Sequence, residues 1–171
     1  MQNLRELLCQ FIKNNNVIQH GNFKLANGEE SDIYLDAKKI TFNSQGLYLA
    51  SMLLLFELNE VAKFSSVGGP SSGADPLVAG MIMSNNTSGF VIRKESKDHG
   101  TKKMIEGPIL PGTDVAIVED TVTTGGSAKK AIKIARDFGL NVKAIGSIFF
   151  RGNENPFDVP FVYLFDLNEF R

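Results

Sequence analysis

The chain has 171 residues, 43% hydrophobic and 22% charged, the composition of a folded globular protein long enough to bury a core and too short for two full domains. Its 18 Lys and Arg face 19 Asp and Glu, a formal net charge of -1, which excludes a surface that binds nucleic acid through bulk positive potential. The lone cysteine, Cys9, leaves neither an internal disulfide nor a thiolate metal cluster. Charged residues within Met1 to Glu6 stand where a secretory leader needs an apolar stretch, and the run Leu49 to Leu58 is broken by Ser51 and Glu57. The expectation is a single cytoplasmic domain, 1–171, with no membrane or nucleic-acid partner.

In chain order, Leu4, Leu7, Leu8, Phe11 and Ile12 form one stripe of an amphipathic helix capped by Asn3, with Cys9 off the stripe. Phe23 to Leu25 and Ser31 to Asp36 read as strands joined through Asn27-Gly28, with His20 in an exposed loop before them. A helix follows from Ser44, burying Leu47, Ala50, Leu53, Leu54 and Leu58. The rhythm then changes to short apolar strands at Ser65 to Gly68, Gly89 to Arg93, Asp114 to Val118 and Val142 to Phe150. Helices at Ala74 to Met83 and Ser127 to Phe138 separate them, the second closed by Gly139, and Phe161 to Phe165 is a last strand. This alternation predicts an α/β fold, a mostly parallel sheet flanked by helices, with its ligands beyond the carboxyl ends of the strands.

Chemistry concentrates in Val115 to Ser127: a buried strand, the carboxylates Glu119 and Asp120, a small hydroxyl- and glycine-rich loop and a helix start. Gly125 and Gly126 let backbone amides turn toward an anion, Thr123, Thr124 and Ser127 add hydroxyl donors, and the helix adds free N–H groups. The loop lacks the lysine of a Walker motif and the spacing of a dinucleotide loop. Two carboxylates beside a phosphate cradle make sense where the ligand brings hydroxyls, as a ribose phosphate does. The competing reading is a helix-capping Ser127 after a solvated acidic turn.

The string Val115 to Ser127 resembles the phosphoribosyl diphosphate motif of the type I phosphoribosyltransferases. The resemblance implies that fold, with 17–40 forming a hairpin hood, and 5-phosphoribosyl 1-diphosphate with Mg2+ as ligand. It also implies that Thr121, Val122, Thr123, Thr124, Gly125, Gly126 and Ser127 bind phosphoribosyl diphosphate, with Thr123 to Ser127 on the 5-phosphate, while Glu119 and Asp120 take the ribose hydroxyls.

Arg93 to Lys103 holds five Lys or Arg and two acids, a local charge of 5 - 2 = +3. It reads either as a solvated loop or as cations projecting from a strand next to the one that carries the cradle. Its Arg93-Lys94 and Lys97-Asp98-His99-Gly100 resemble the mobile catalytic loop of orotate phosphoribosyltransferases. Gly21 to Gly28 with Ser31 to Asp36 resembles that family's hairpin, Gly68 to Pro76 its diphosphate-facing loop, and Arg151 its orotate-contacting arginine. The chain is thereby identified as a short-form member. Membership implies Lys97, His99 and Asp120 as catalytic residues, and Arg93, Lys94, Lys97 and His99 on the diphosphate. It further implies Tyr34, Thr123 and Arg151 on orotate, a metal held mostly by ligand and water with no protein residue assigned to it, and a homodimer sharing the loop 94–107. Ala26 and Gly73 depart from the family's lysines. A purine phosphoribosyltransferase and a non-enzymatic phosphoribosyl diphosphate sensor are the alternatives.

Overall fold

The computed structural model describes residues 2–24, 28, 30–84, 87–93 and 104–170. Helix α1 (Gln2–Asn14) buries Leu8, Phe11 and Ile12, as the stripe requires. It starts ahead of Asn3, which therefore lies in its first turn and not at its cap, and Leu7 stays 39% exposed. Strands β1 (Ile18–Lys24) and β2 (Glu30–Leu35) form a separate antiparallel sheet. β1 begins well before Phe23 and takes in His20, which is exposed on a strand, not in a loop. The register slips between His20 and Phe23, so Gly21 and Asn22 form a bulge.

A short helix α2 (Lys38–Thr41), without a sequence signal, precedes α3 (Ser44–Val61). Asn43 starts α3 because its Oδ1 accepts from the Gln45 and Gly46 N–H groups at 3.0 and 3.1 Å. Then come β3 (Ser66–Pro70), α4 (Asp75–Ser84), β4 (Ser88–Ile92), the two-residue β5 (Ile105–Glu106), β6 (Asp114–Val122), α5 (Gly126–Asp137), β7 (Asn141–Phe150) and β8 (Phe161–Asp166). They build one sheet in the order β5-β4-β3-β6-β7-β8, parallel except for β5 on β4.

Alternation along β6 feeds two cores. Ala116 and Val118 join the cluster under α1, α3 and α4, whereas Val115 and Ile117 join the one under α5. The chain leaves β3 through α4 toward β4, then returns to lay β6 on the other side of β3 and continues through α5 to β7. β3 and β6 therefore flank the point where the strand order reverses, the place where such sheets open a crevice for ligands. One expectation fails here: the basic segment follows β4 and the cradle follows β6, but these strands are not neighbours, because β3 lies between them.

Gly69 makes this junction possible. A methyl built on it would stand 2.2 Å from the Val118 carbonyl oxygen and 2.5 Å from Ala74 Cβ. Gly69→Ala is expected to cost about 3 kcal/mol, lowering Tm by roughly 6–12 °C for a chain of this size; a calorimetric scan checks it.

Candidate active site

β6 runs to Val122, beyond the expected end at Val118, and pairs with β7 through Thr121 against Phe149 and Val122 against Phe150. Glu119 and Asp120 therefore lie within the strand and project to opposite sides of it. Glu119 is only 7% exposed and lines a cavity of about 200 Å³ beneath Thr123 to Ser127. Asp120 is half-buried and faces the loop after β3, where a methyl built on Gly73 would stand 3.2 Å from its Oδ2. The glycine in place of a family lysine thus leaves Asp120 room on that side.

The cradle is built as its residue types suggest. Gly125 is buried with φ 76°, the left-handed region that glycine enters without strain. Its carbonyl accepts the Lys129 N–H at 2.8 Å, and α5 starts at Gly126 with no side-chain cap on its N-terminal amides. Those amides remain free to face an anion. Ser127 lies inside the helix, so the reading of it as the cap is set aside, and it stands exposed with Thr123 and Thr124 around the cavity mouth.

A second cavity of about 390 Å³ shares Ser127 with the first and is lined by Pro70, Arg93 and Lys130. Arg93, at the carboxyl end of β4, pairs through Nη1 with Glu106 Oε1 at 2.8 Å. Arg151 follows β7, and its backbone N–H donates to the Val122 carbonyl at 2.9 Å, holding it beside the cradle strand. Tyr34 stands on the hairpin, 45% exposed, with its ring 5.5 Å from that of Phe23. Lys94, Lys97, His99 and Ala26 lie outside the described residues.

Burial raises the pKa of Asp120, and the Thr121 backbone N–H and then the Lys38 ammonium oppose that rise. Lys38, on the short α2, is a cation that no motif announced. The sign of the pH effect follows directly. With its folded pKa above its unfolded one, Asp120 binds more protons in the folded state across that interval, so its ionisation costs stability as pH rises through it. Asp120→Asn should therefore gain stability relative to the parent between about pH 4 and about pH 7. Urea unfolding of both proteins at the two pH values measures the change.

No protein-family model matches the chain. It is 40% identical over 177 residues to an orotate phosphoribosyltransferase of Aquifex aeolicus, with 96% of each chain covered. The orotate phosphoribosyltransferase of Mycobacterium tuberculosis H37Rv in complex with Fe(III) dicitrate superposes with a TM-score of 0.83 at 29% identity, covering 97% of this chain and 98% of that one. The same enzyme in complex with 5-phospho-α-D-ribosyl 1-diphosphate gives a TM-score of 0.78 at 26% identity, covering 97% and 98%.

Proposed function

The chain belongs to the orotate phosphoribosyltransferase family, and we infer that its cradle at Thr123 to Ser127 holds the 5-phosphate of 5-phosphoribosyl 1-diphosphate while Glu119 and Asp120 hold the ribose. The protein is an orotate phosphoribosyltransferase, a pentosyltransferase of pyrimidine biosynthesis that converts orotate and phosphoribosyl diphosphate into orotidine 5′-phosphate and diphosphate. The observation that carries the site reading is the uncapped start of α5 over a cavity walled by the buried Glu119. Phosphate on helix amides and hydroxyls on carboxylates is the pairing that a ribose 5-phosphate requires.

Orotate enters between the hairpin bearing Tyr34 and the cradle strand, its carboxylate meeting Arg151 and its carbonyls Thr123. The bond from the anomeric carbon to the diphosphate oxygen lengthens, and the ribose takes on oxocarbenium character. The ring nitrogen forms its bond from the opposite face, its proton leaves to solvent or to diphosphate, and the configuration inverts. No protein nucleophile takes part, so the protein's contribution is alignment and charge. Arg93, Lys94 and Lys97 stabilise the negative charge that grows on the leaving diphosphate, with His99 beside them.

Among the described residues, no three His, Cys, Asp or Glu side chains converge as a metal cage. Glu119 and Asp120 offer hard carboxylate oxygens at the ribose, a setting that would accept Mg2+ arriving with the substrate. When bound, the ion neutralises diphosphate charge. Side chains such as Phe42 (77% exposed) and Tyr48 (56%) near the start of α3, and Met83 (88%) on α4, leave apolar area in solvent that a second copy would cover; that the homodimer shares segment 94–107 rests on the family resemblance. Among the described residues no helix is long and apolar enough to cross a membrane; the cytoplasmic location is proposed on the family resemblance alone.

Turnover with orotate and phosphoribosyl diphosphate should need added Mg2+ and stop with EDTA, while Tm in the absence of substrate stays unchanged. A Tm that falls on chelation contradicts the substrate-borne metal, and absence of orotidine 5′-phosphate formation under any metal contradicts the activity.

A further inference from the structure

Parallel strands are normally joined by a helix-bearing crossover of a dozen or more residues. β7 and β8 are parallel, yet residues 151–160 connect them with no helix. Side chains of this short crossover do the packing: Phe157 and Val159 lie against the core under α5, and the Phe157 ring meets Phe161 edge-on at 5.1 Å. Hydrogen bonds to other elements and one within its own turn fix the crossover. The Arg151 N–H donates to the Val122 carbonyl at 2.9 Å, the Phe157 N–H donates to Asn155 Oδ1 at 2.9 Å, and Asp158 takes a bidentate pair from Arg136 at 2.8 and 3.0 Å. Its apex presses on the cradle, since a methyl built on Gly125 would stand 3.0 Å from Phe157 Cε1 and 3.0 Å from Pro156 Cγ.

We propose that Phe157 is a positioning residue for the 5-phosphate. Its ring, locked by Phe161 and by the Arg136–Asp158 pair, backs Gly125 and keeps the loop amides aimed into the cavity. Because the same crossover begins at Arg151, it also ties the orotate contact to the phosphate contact. This rests on the reading of Thr123 to Ser127 as the 5-phosphate site.

The test measures calorimetric affinities of the full chain for ribose 5-phosphate and for inorganic diphosphate with Mg2+, since only the first uses the cradle. Loss of the ring contact in Phe157→Ala should weaken ribose 5-phosphate about tenfold. Diphosphate affinity should stay within about twofold, and Phe157→Leu should restore most of the loss. Asp158→Asn, which loosens the tether from an exposed position and keeps the fold, should show the same selectivity at about threefold. Unchanged ribose 5-phosphate binding in both Phe157→Ala and Asp158→Asn overturns the proposal, as does an equal loss for both ligands. Should Phe157→Ala not fold, the Asp158→Asn result decides alone. If the parent protein itself does not bind ribose 5-phosphate, the cradle reading fails and takes this one with it.

Discussion

Replacing Glu119 by Gln and Asp120 by Asn together is expected to lower kcat/KM for phosphoribosyl diphosphate by about a thousandfold, each lost hydrogen bond to a charged group being worth about 1.5–3 kcal/mol. Both exchanges keep shape, remove the charge and turn one acceptor oxygen into an amide donor. Because Glu119 is buried in the cavity wall, its proposed contact with the ribose would be made at low dielectric, where the growing positive charge gains more than the neutral ground state does. The loss should therefore appear in kcat as well as in KM. Stability should not fall in step, because Asp120 ionised is a burden on the fold. Steady-state kinetics with a melting curve separate the two effects. A double variant with near-parental kcat would remove the carboxylates from the mechanism.

The second large effect is expected from the basic segment. At an effective dielectric near 20, two unit charges about 4 Å apart interact by roughly 4 kcal/mol, and if half is differential each cation contributes about thirtyfold in rate. Lys94→Ala with Lys97→Ala should thus lower kcat by on the order of a thousandfold if the two act independently, with a smaller change in KM for orotate. Mixing that variant with the Glu119→Gln, Asp120→Asn double variant tests the shared site. Refolded hybrids should recover part of the activity that neither parent has, and hybrids as inactive as both parents would contradict loop exchange between subunits.

The cradle was legible because its determinants are local. Val115 to Val118 are apolar, Gly125 and Gly126 break the pattern, and a helix face with Ala128, Ala131, Ile132 and Ala135 follows within a few residues. The overrun of β6 was not legible. Glu119 and Asp120 have weak strand propensity, and what keeps them extended is pairing with β7, a partner far along the chain. The same non-locality hid the insertion of β3 between β4 and β6, which no periodicity encodes. β5 is only Ile105 and Glu106, too short to alternate, and exists because β4 offers it an edge. Lys38 and Phe157 escaped notice for a related reason: one member of a Lys38-Lys39 pair and a phenylalanine in a polar loop look ordinary until Asp120 and Gly125 are found beside them.

The central claim is tested most directly by one comparison: kcat/KM for nucleotide formation from magnesium phosphoribosyl diphosphate with orotate, uracil, hypoxanthine and adenine, each assayed separately with the same preparation. Orotate should give orotidine 5′-phosphate and one diphosphate per turnover, and the other three bases should give little product. Nucleotide from hypoxanthine or adenine with none from orotate, or no product from any of the four, would contradict it.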